Sequence, residues 1–249
     1  MKKGLIFIFS SVLLIGTIFS IQIFFLSSNK ILGIQNQNII IRRVELKNKK
    51  LVALTFDDGP SPITKEILQV LEKANIHATF FVIGENIDKY PEVLLETYQK
   101  GHEIGNHTNT HPYTFLMNKQ DLAKDILIAE EKISQITGIK PRLIRAPYAL
   151  YPDNLLSNVE LFNLLLISWD VDPEDWKQVN KEVITHRVVA NVNPGSIILL
   201  HDGPPELDRS KTLGALPEII DTLKEDGYWF VTMSELLDSY NEETQENLN

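Results

Sequence analysis

From Leu51 to Met233 the chain repeats one pattern, a short apolar run followed by a longer segment whose apolar residues recur at helical spacing. The runs "LVALTF", "ATFFVI", "HEIGNH", "PRLIRAP", "LLLISWD", "SIILLHD" and "YWFVTM" predict seven strands. Six amphipathic segments between them predict helices, beginning with "PITKEILQVLEKAN" and ending with "LGALPEIIDTLKEDG"; Gly101, Gly138 and Gly227 mark helix ends. Strands alternating with helices require parallel pairing through crossovers, so the fold class is α/β. Neither a doubly wound sheet nor a (β/α) barrel is excluded, but no glycine-rich phosphate loop follows the first strand, and that favours the barrel.

The ends of the chain read differently. Lys2 and Lys3 precede an uncharged run from Leu5 to Leu26, long enough as a helix to cross a hydrocarbon layer of roughly 30 Å. The expected organisation is a transmembrane anchor over 1–28, a polar stalk over 29–49 leading into a first strand at "IIIRRVEL", a globular domain over 50–238 and a polar tail over 239–249. Lysines on the cytoplasmic side place the domain outside the membrane. A cleaved signal segment, which would release it, is the alternative.

Composition narrows the function. A formal net charge of -9 argues against a nucleic-acid partner, which calls for a basic face. The absence of cysteine removes disulfides and thiolate catalysis.

In parallel α/β folds the chemistry lies beyond the carboxyl ends of the strands. Those ends read "FDDGP", "GNHTNTH", "RAPY", "WDVDPEDW" and "LLHDG". Asp57 and Asp58 are adjacent, and within a pleated strand they would face opposite sides. Gly59 and Pro60 end the strand there, which allows both to turn into one cavity. His107 and His111, four apart, can meet on a helical turn or in a tight loop. With an acid from the first strand end they form a two-histidine, one-carboxylate set that suits a divalent ion: zinc first, with cobalt, manganese or iron as alternatives. His201 ends an apolar strand abruptly, and Arg145 ends another, where a guanidinium needs a carboxylate partner. Asp172, Asp175 and Trp176 follow a further strand.

These five blocks, in this order, resemble the polysaccharide deacetylases of carbohydrate esterase family 4: "TFDDGP", "HTNTH", "RAPY", "DPEDW" and "LLH", over about Leu51 to Leu237. The resemblance implies a distorted barrel with seven parallel strands. It further implies that Asp57 is the general base and that Asp58, His107 and His111 hold the metal. His201 would be the general acid, with Arg145 orienting Asp57 and Asp175 tuning His201. Trp176 and Leu199 would line the pocket for the acetyl methyl group, and the backbone N–H of Tyr148 would help hold the oxyanion. Family members often carry Gly after that tyrosine; this chain has Ala149, a residue for which positive φ is costly.

Amide hydrolysis needs an activated nucleophile, a stabilised oxyanion and a proton for the departing amine. One acid to ligate and a second to accept a proton would explain the pair. The expected substrate is an acetylated polysaccharide, first the N-acetylated sugars of cell-wall peptidoglycan, and the expected state is a monomer. Deacetylation of chitin or an exopolysaccharide, or O-acetyl removal from xylan, uses the same chemistry. A noncatalytic wall-binding protein would have lost one of the site residues, and all are present.

Overall fold

The computed structural model describes residues 40–204 and 206–246. The anchor expected over 1–28, and the stalk as far as residue 39, lie outside them. Among the described residues no helix is long and apolar enough to cross a membrane.

Among the described residues eight strands form one sheet: β1 (Ile40–Ile41), β2 (Leu51–Asp57), β3 (Thr79–Val82), β4 (Glu103–Asn106), β5 (Leu143–Ile144), β6 (Leu165–Ile167), β7 (Ile197–His201) and β8 (Trp229–Val231). They run in the order β1-β6-β5-β4-β3-β2-β7, and every strand pair is parallel, as the alternating pattern predicts. The pattern predicts seven strands from Leu51 onward; β1 is a two-residue addition, drawn from "IIIRRVEL" and paired with β6. The sheet closes on itself just past β6, where Val171 bridges Ile198 and the Leu199 N–H reaches the Val171 carbonyl at 2.9 Å. β8 pairs only with the first half of β2, at Leu51 to Ala53, while β3 pairs with the second half, at Thr55 to Asp57.

Eight helices surround the sheet among the described residues: α1 (Pro62–Ala74), α2 (Gly84–Lys89), α3 (Pro91–Gln99), α4 (Lys119–Thr137), α5 (Asp153–Leu161), α6 (Lys181–Asn191), α7 (Ser210–Glu225) and α8 (Met233–Glu246). Their ends follow local chemistry. Pro62 opens α1, Asn118 caps α4 by accepting the Asp121 N–H, and Gly138 closes α4 in the left-handed region. The pattern omits α2 and α8. Residues 239–246, expected as tail, are the last turns of α8, and Glu243 there is buried, accepting the Lys47 and Asn48 N–H groups.

Period-two alternation along β2 separates two environments. Val52, Leu54 and Phe56 pack outward in a cluster with Ile67, Leu71 and Ile219 of the helices. Ala53 faces the other way, into a cluster with Phe81, Ile167, Ile197, Met233 and Leu237 that fills the lumen. Thr55 and Asp57 continue that inward row toward the carboxyl ends, so the apolar filling becomes the floor of a polar cavity.

Candidate active site

The two acids part company at Asp58. Asp57 is the last residue of β2, aligned with Phe81 on one side and His201 on the other, whereas Asp58 takes φ 75, a left-handed conformation open to Asp among L-residues. That single reversal brings both carboxyl groups into one cleft. Gly59 serves a different purpose from the backbone freedom expected of it. Its φ is unexceptional, but a Cβ there would sit 2.2 Å from an Asp202 carboxylate oxygen.

Asp57 is held from beneath. Arg145 Nη1 donates to Asp57 Oδ1 at 2.7 Å and to Thr55 Oγ1 at 2.8 Å, and Nη2 donates to the Ser168 carbonyl at 3.0 Å. The guanidinium is wholly buried and lies 4.1 Å from the Phe81 ring centre. Burial lowers its pKa while Asp57 opposes that, and an arginine keeps its proton regardless.

The "HTNTH" segment is a loop, not a helical turn. It leaves β4, and Thr108 and His111 both adopt positive φ. Asp125 of α4 braces it, accepting the N–H groups of Asn109 and Thr110 and the Thr110 hydroxyl. His107 Nδ1 donates to the Arg145 carbonyl at 2.9 Å, which leaves Nε2 to face Asp58. Asp58 Oδ1 is 3.5 Å from His107 Nε2 and 3.4 Å from His111 Nε2. One donor atom from each of Asp58, His107 and His111 can be chosen so that all lie within 4.8 Å of one another, and this donor set fits a divalent cation.

Electrostatics agree with that use. Burial would raise the Asp58 pKa, but its hydrogen bond with His107 and the three histidines around it hold it far below the usual carboxylate range. Burial together with the neighbouring His107 brings His111 down to about 4, so its ring is an uncharged donor at neutral pH. At His107 burial also opposes charge, but Asp57 and Asp58 outweigh it and raise the pKa.

The strand beside Asp57 carries a second pair. His201 Nδ1 donates to Asp175 Oδ1 at 2.7 Å, the His201 N–H meets Asp175 Oδ2 at 3.0 Å, and Thr212 donates to the same oxygen. Burial would lower His201, but Asp175, then Asp58 and Asp57, raise it to about 9. The structure thus brings together every residue singled out from the strand ends. Asp57, Asp58, His107, His111, Tyr148, Trp176, Leu199 and His201 line one cleft of about 660 Å³, with Arg145 and Asp175 buried behind it. Ala149 does take positive φ, 53, directly after Tyr148 at 57.

Thr55, Ser168, Asp125, Asp202 and Thr212 carry roles that strand-end reading misses. Thr55 had a usable signal, since it lies two residues before Asp57 on the same face, and so had Asp202, which directly follows His201 in the strand end "LLHDG".

A family profile described as polysaccharide deacetylase matches residues 45–166. A peptidoglycan-N-acetylglucosamine deacetylase of Bacillus cereus is 39% identical, over 78% of this chain and 71% of that protein. The chain belongs to the polysaccharide deacetylase family. The peptidoglycan-N-acetylmuramic acid deacetylase PdaC of Bacillus subtilis is 42% identical over 76% of this chain, which spans only 39% of PdaC's length. Among solved structures, that of the Bc1960 peptidoglycan N-acetylglucosamine deacetylase in complex with a hydroxamate-type benzamide aligns with TM-score 0.75 and 38% identity, covering 78% of this chain and 91% of that one.

Proposed function

We propose that this deacetylase removes N-acetyl groups from the glucosamine residues of peptidoglycan, using a divalent ion, zinc first, held by Asp58, His107 and His111. The observation that carries the reading is the placement of one unligated carboxyl, Asp57, beside that donor set, with a protonatable imidazole, His201, aligned with it on the neighbouring strand of the same cleft. A divalent ion held by Asp58, His107 and His111 would supply Lewis acidity to the attacking water and the acetyl carbonyl. Asp57, fixed by Arg145, takes the proton from the attacking water. His201 starts protonated, its positive form stabilised by Asp175, and delivers a proton to the leaving nitrogen. The Tyr148 N–H serves the oxyanion, and Trp176 and Leu199 enclose the methyl group. The names of the relatives support peptidoglycan as substrate.

The same reading extends to location. Residues 1–28 would tether the domain on the outer face of the membrane; cell fractionation with and without protease on intact cells tests it, and a protein found only in the cytoplasm would end it. For the activity, purified protein is incubated with peptidoglycan, N-acetylglucosamine oligomers and acetylxylan, with and without chelator, and acetate is measured. Metal-dependent acetate release from peptidoglycan is expected. Release from acetylxylan alone would overturn the substrate, and full activity after exhaustive chelation would overturn the metal.

A further inference from the structure

The rim of the cleft carries a row of aromatic rings that the reaction chemistry does not use. From the ligand set outward, His111 meets the Tyr148 ring edge-on at 4.5 Å, Tyr148 stacks on Tyr113 at 4.3 Å with the planes 9° apart, and Tyr113 meets Phe115 at 6.0 Å. The last three are open to solvent: Tyr148 is 49% exposed, Tyr113 51% and Phe115 57%. Rings of this size contribute most when covered, so a run of them left open beside a reaction centre marks a surface for a ligand.

The row is built, not draped. Tyr113 precedes a 3-10 turn, Thr114–Leu116, whose first residue is fully buried and donates from its hydroxyl to the Leu150 carbonyl. Asn154 of α5 donates from one amide nitrogen to the Thr114 carbonyl at 2.8 Å and to the Met117 carbonyl at 2.7 Å. The platform therefore stands preformed, and little ordering entropy is lost when it is covered.

We propose that Tyr113 and Phe115 are a stacking subsite for sugar rings next to the one being deacetylated, so that this chain prefers a glycan strand to a short fragment. An uncharged aromatic shelf running out from the cleft fits the apolar C–H face of a pyranose, and its continuity with Tyr148 sets the strand's direction. The proposal rests on the deacetylase reading above, and its test separates the two.

Wild type, Tyr113→Ala and Phe115→Ala are compared on the N-acetylglucosamine dimer and pentamer, with acetate as readout. The ratio of pentamer to dimer kcat/KM is expected to fall about 2- to 10-fold in each alanine variant, the loss residing in KM. Tyr113→Phe, which keeps the ring, restores the ratio. Pentamer binding is measured in parallel by calorimetry in an Asp57→Asn background, where no turnover is needed. There the alanine variants weaken pentamer binding by a similar factor and leave dimer binding closer to the parent. An unchanged ratio with unchanged pentamer affinity, or equal losses on dimer and pentamer, overturns the subsite. Absence of acetate from every wild-type reaction would instead strike the activity reading, while the calorimetry still decides the subsite.

Discussion

Two buried aspartates, one in the cleft and one behind it, each meet a basic side chain at 2.7 Å, Asp57 with Arg145 and Asp175 with His201. The geometry is nearly the same and the consequence is opposite. Arginine does not release its proton, so Arg145 can only orient Asp57 and balance its charge. Histidine can, so Asp175 makes His201 a reservoir that holds a proton at neutral pH and can still give it up. What divides the proposed acid from the proposed base is therefore the chemistry of the cation, not its distance.

The comparison breaks most sharply at Asp57. Asp57→Asn keeps the shape and removes the proton acceptor, so acetate release should fall by about 10²- to 10⁴-fold while metal content, measured on the purified protein, stays near wild type. Activity equal to wild type would remove Asp57 from the role of base. Arg145→Met should act on stability as well as rate. It leaves a carboxylate buried without its partner, at a cost of about 3–5 kcal/mol read from denaturant unfolding.

Asp175→Asn probes the other side. Because the folded-state pKa of His201 is raised, to about 9 from an ordinary 6.5, its contribution to stability is fully present below pH 6.5 and is lost as pH rises through about 9. The gap corresponds to roughly 3 kcal/mol. In metal-free protein the melting temperature should decline across that window, and Asp175→Asn should flatten the decline. In the metal-loaded enzyme the same substitution should move the alkaline limb of kcat/KM to lower pH. An unmoved limb would mean that Asp175 does not set the protonation of His201. The smallest effect is expected at Ala149→Gly. Relief of about 1–2 kcal/mol of left-handed strain, offset by glycine's greater freedom when unfolded, leaves a gain below about 1 kcal/mol in thermal unfolding.

The residues proposed to do the chemistry were legible because apolar strands stop abruptly at them, and a parallel α/β fold gathers such stops on one rim. The supporting cast was not. Asp125 and Thr212 sit on helix faces, where an acid or a hydroxyl reads as solvated surface, and only the tertiary path brings them beneath a loop. The same reason hid α8: "MSELLDSYNEETQE" is mostly polar, and its anchoring depends on Met233, Leu236 and Leu237 entering a lumen that the local pattern does not reveal. Helix α2 is six residues long and opens on glycine, too short for periodicity to register. The histidine pair was legible as a pair, but its loop conformation was not, because it depends on positive φ at Thr108 and His111 and on bracing by Asp125, 15 and 16 residues beyond the loop residues it holds.

Asp202 ties the two halves of this machinery into one part. Its N–H bonds the Asp57 carbonyl, its own carbonyl accepts the Ser61 hydroxyl, its carboxylate accepts the Thr64 hydroxyl, and its side chain fills the space that any substituent on residue 59 would claim. The segment bearing the proposed proton acceptor and the segment bearing the proposed proton donor thus share a keyed joint. An engineer who enlarges either side of it must redesign its counterpart in the same step.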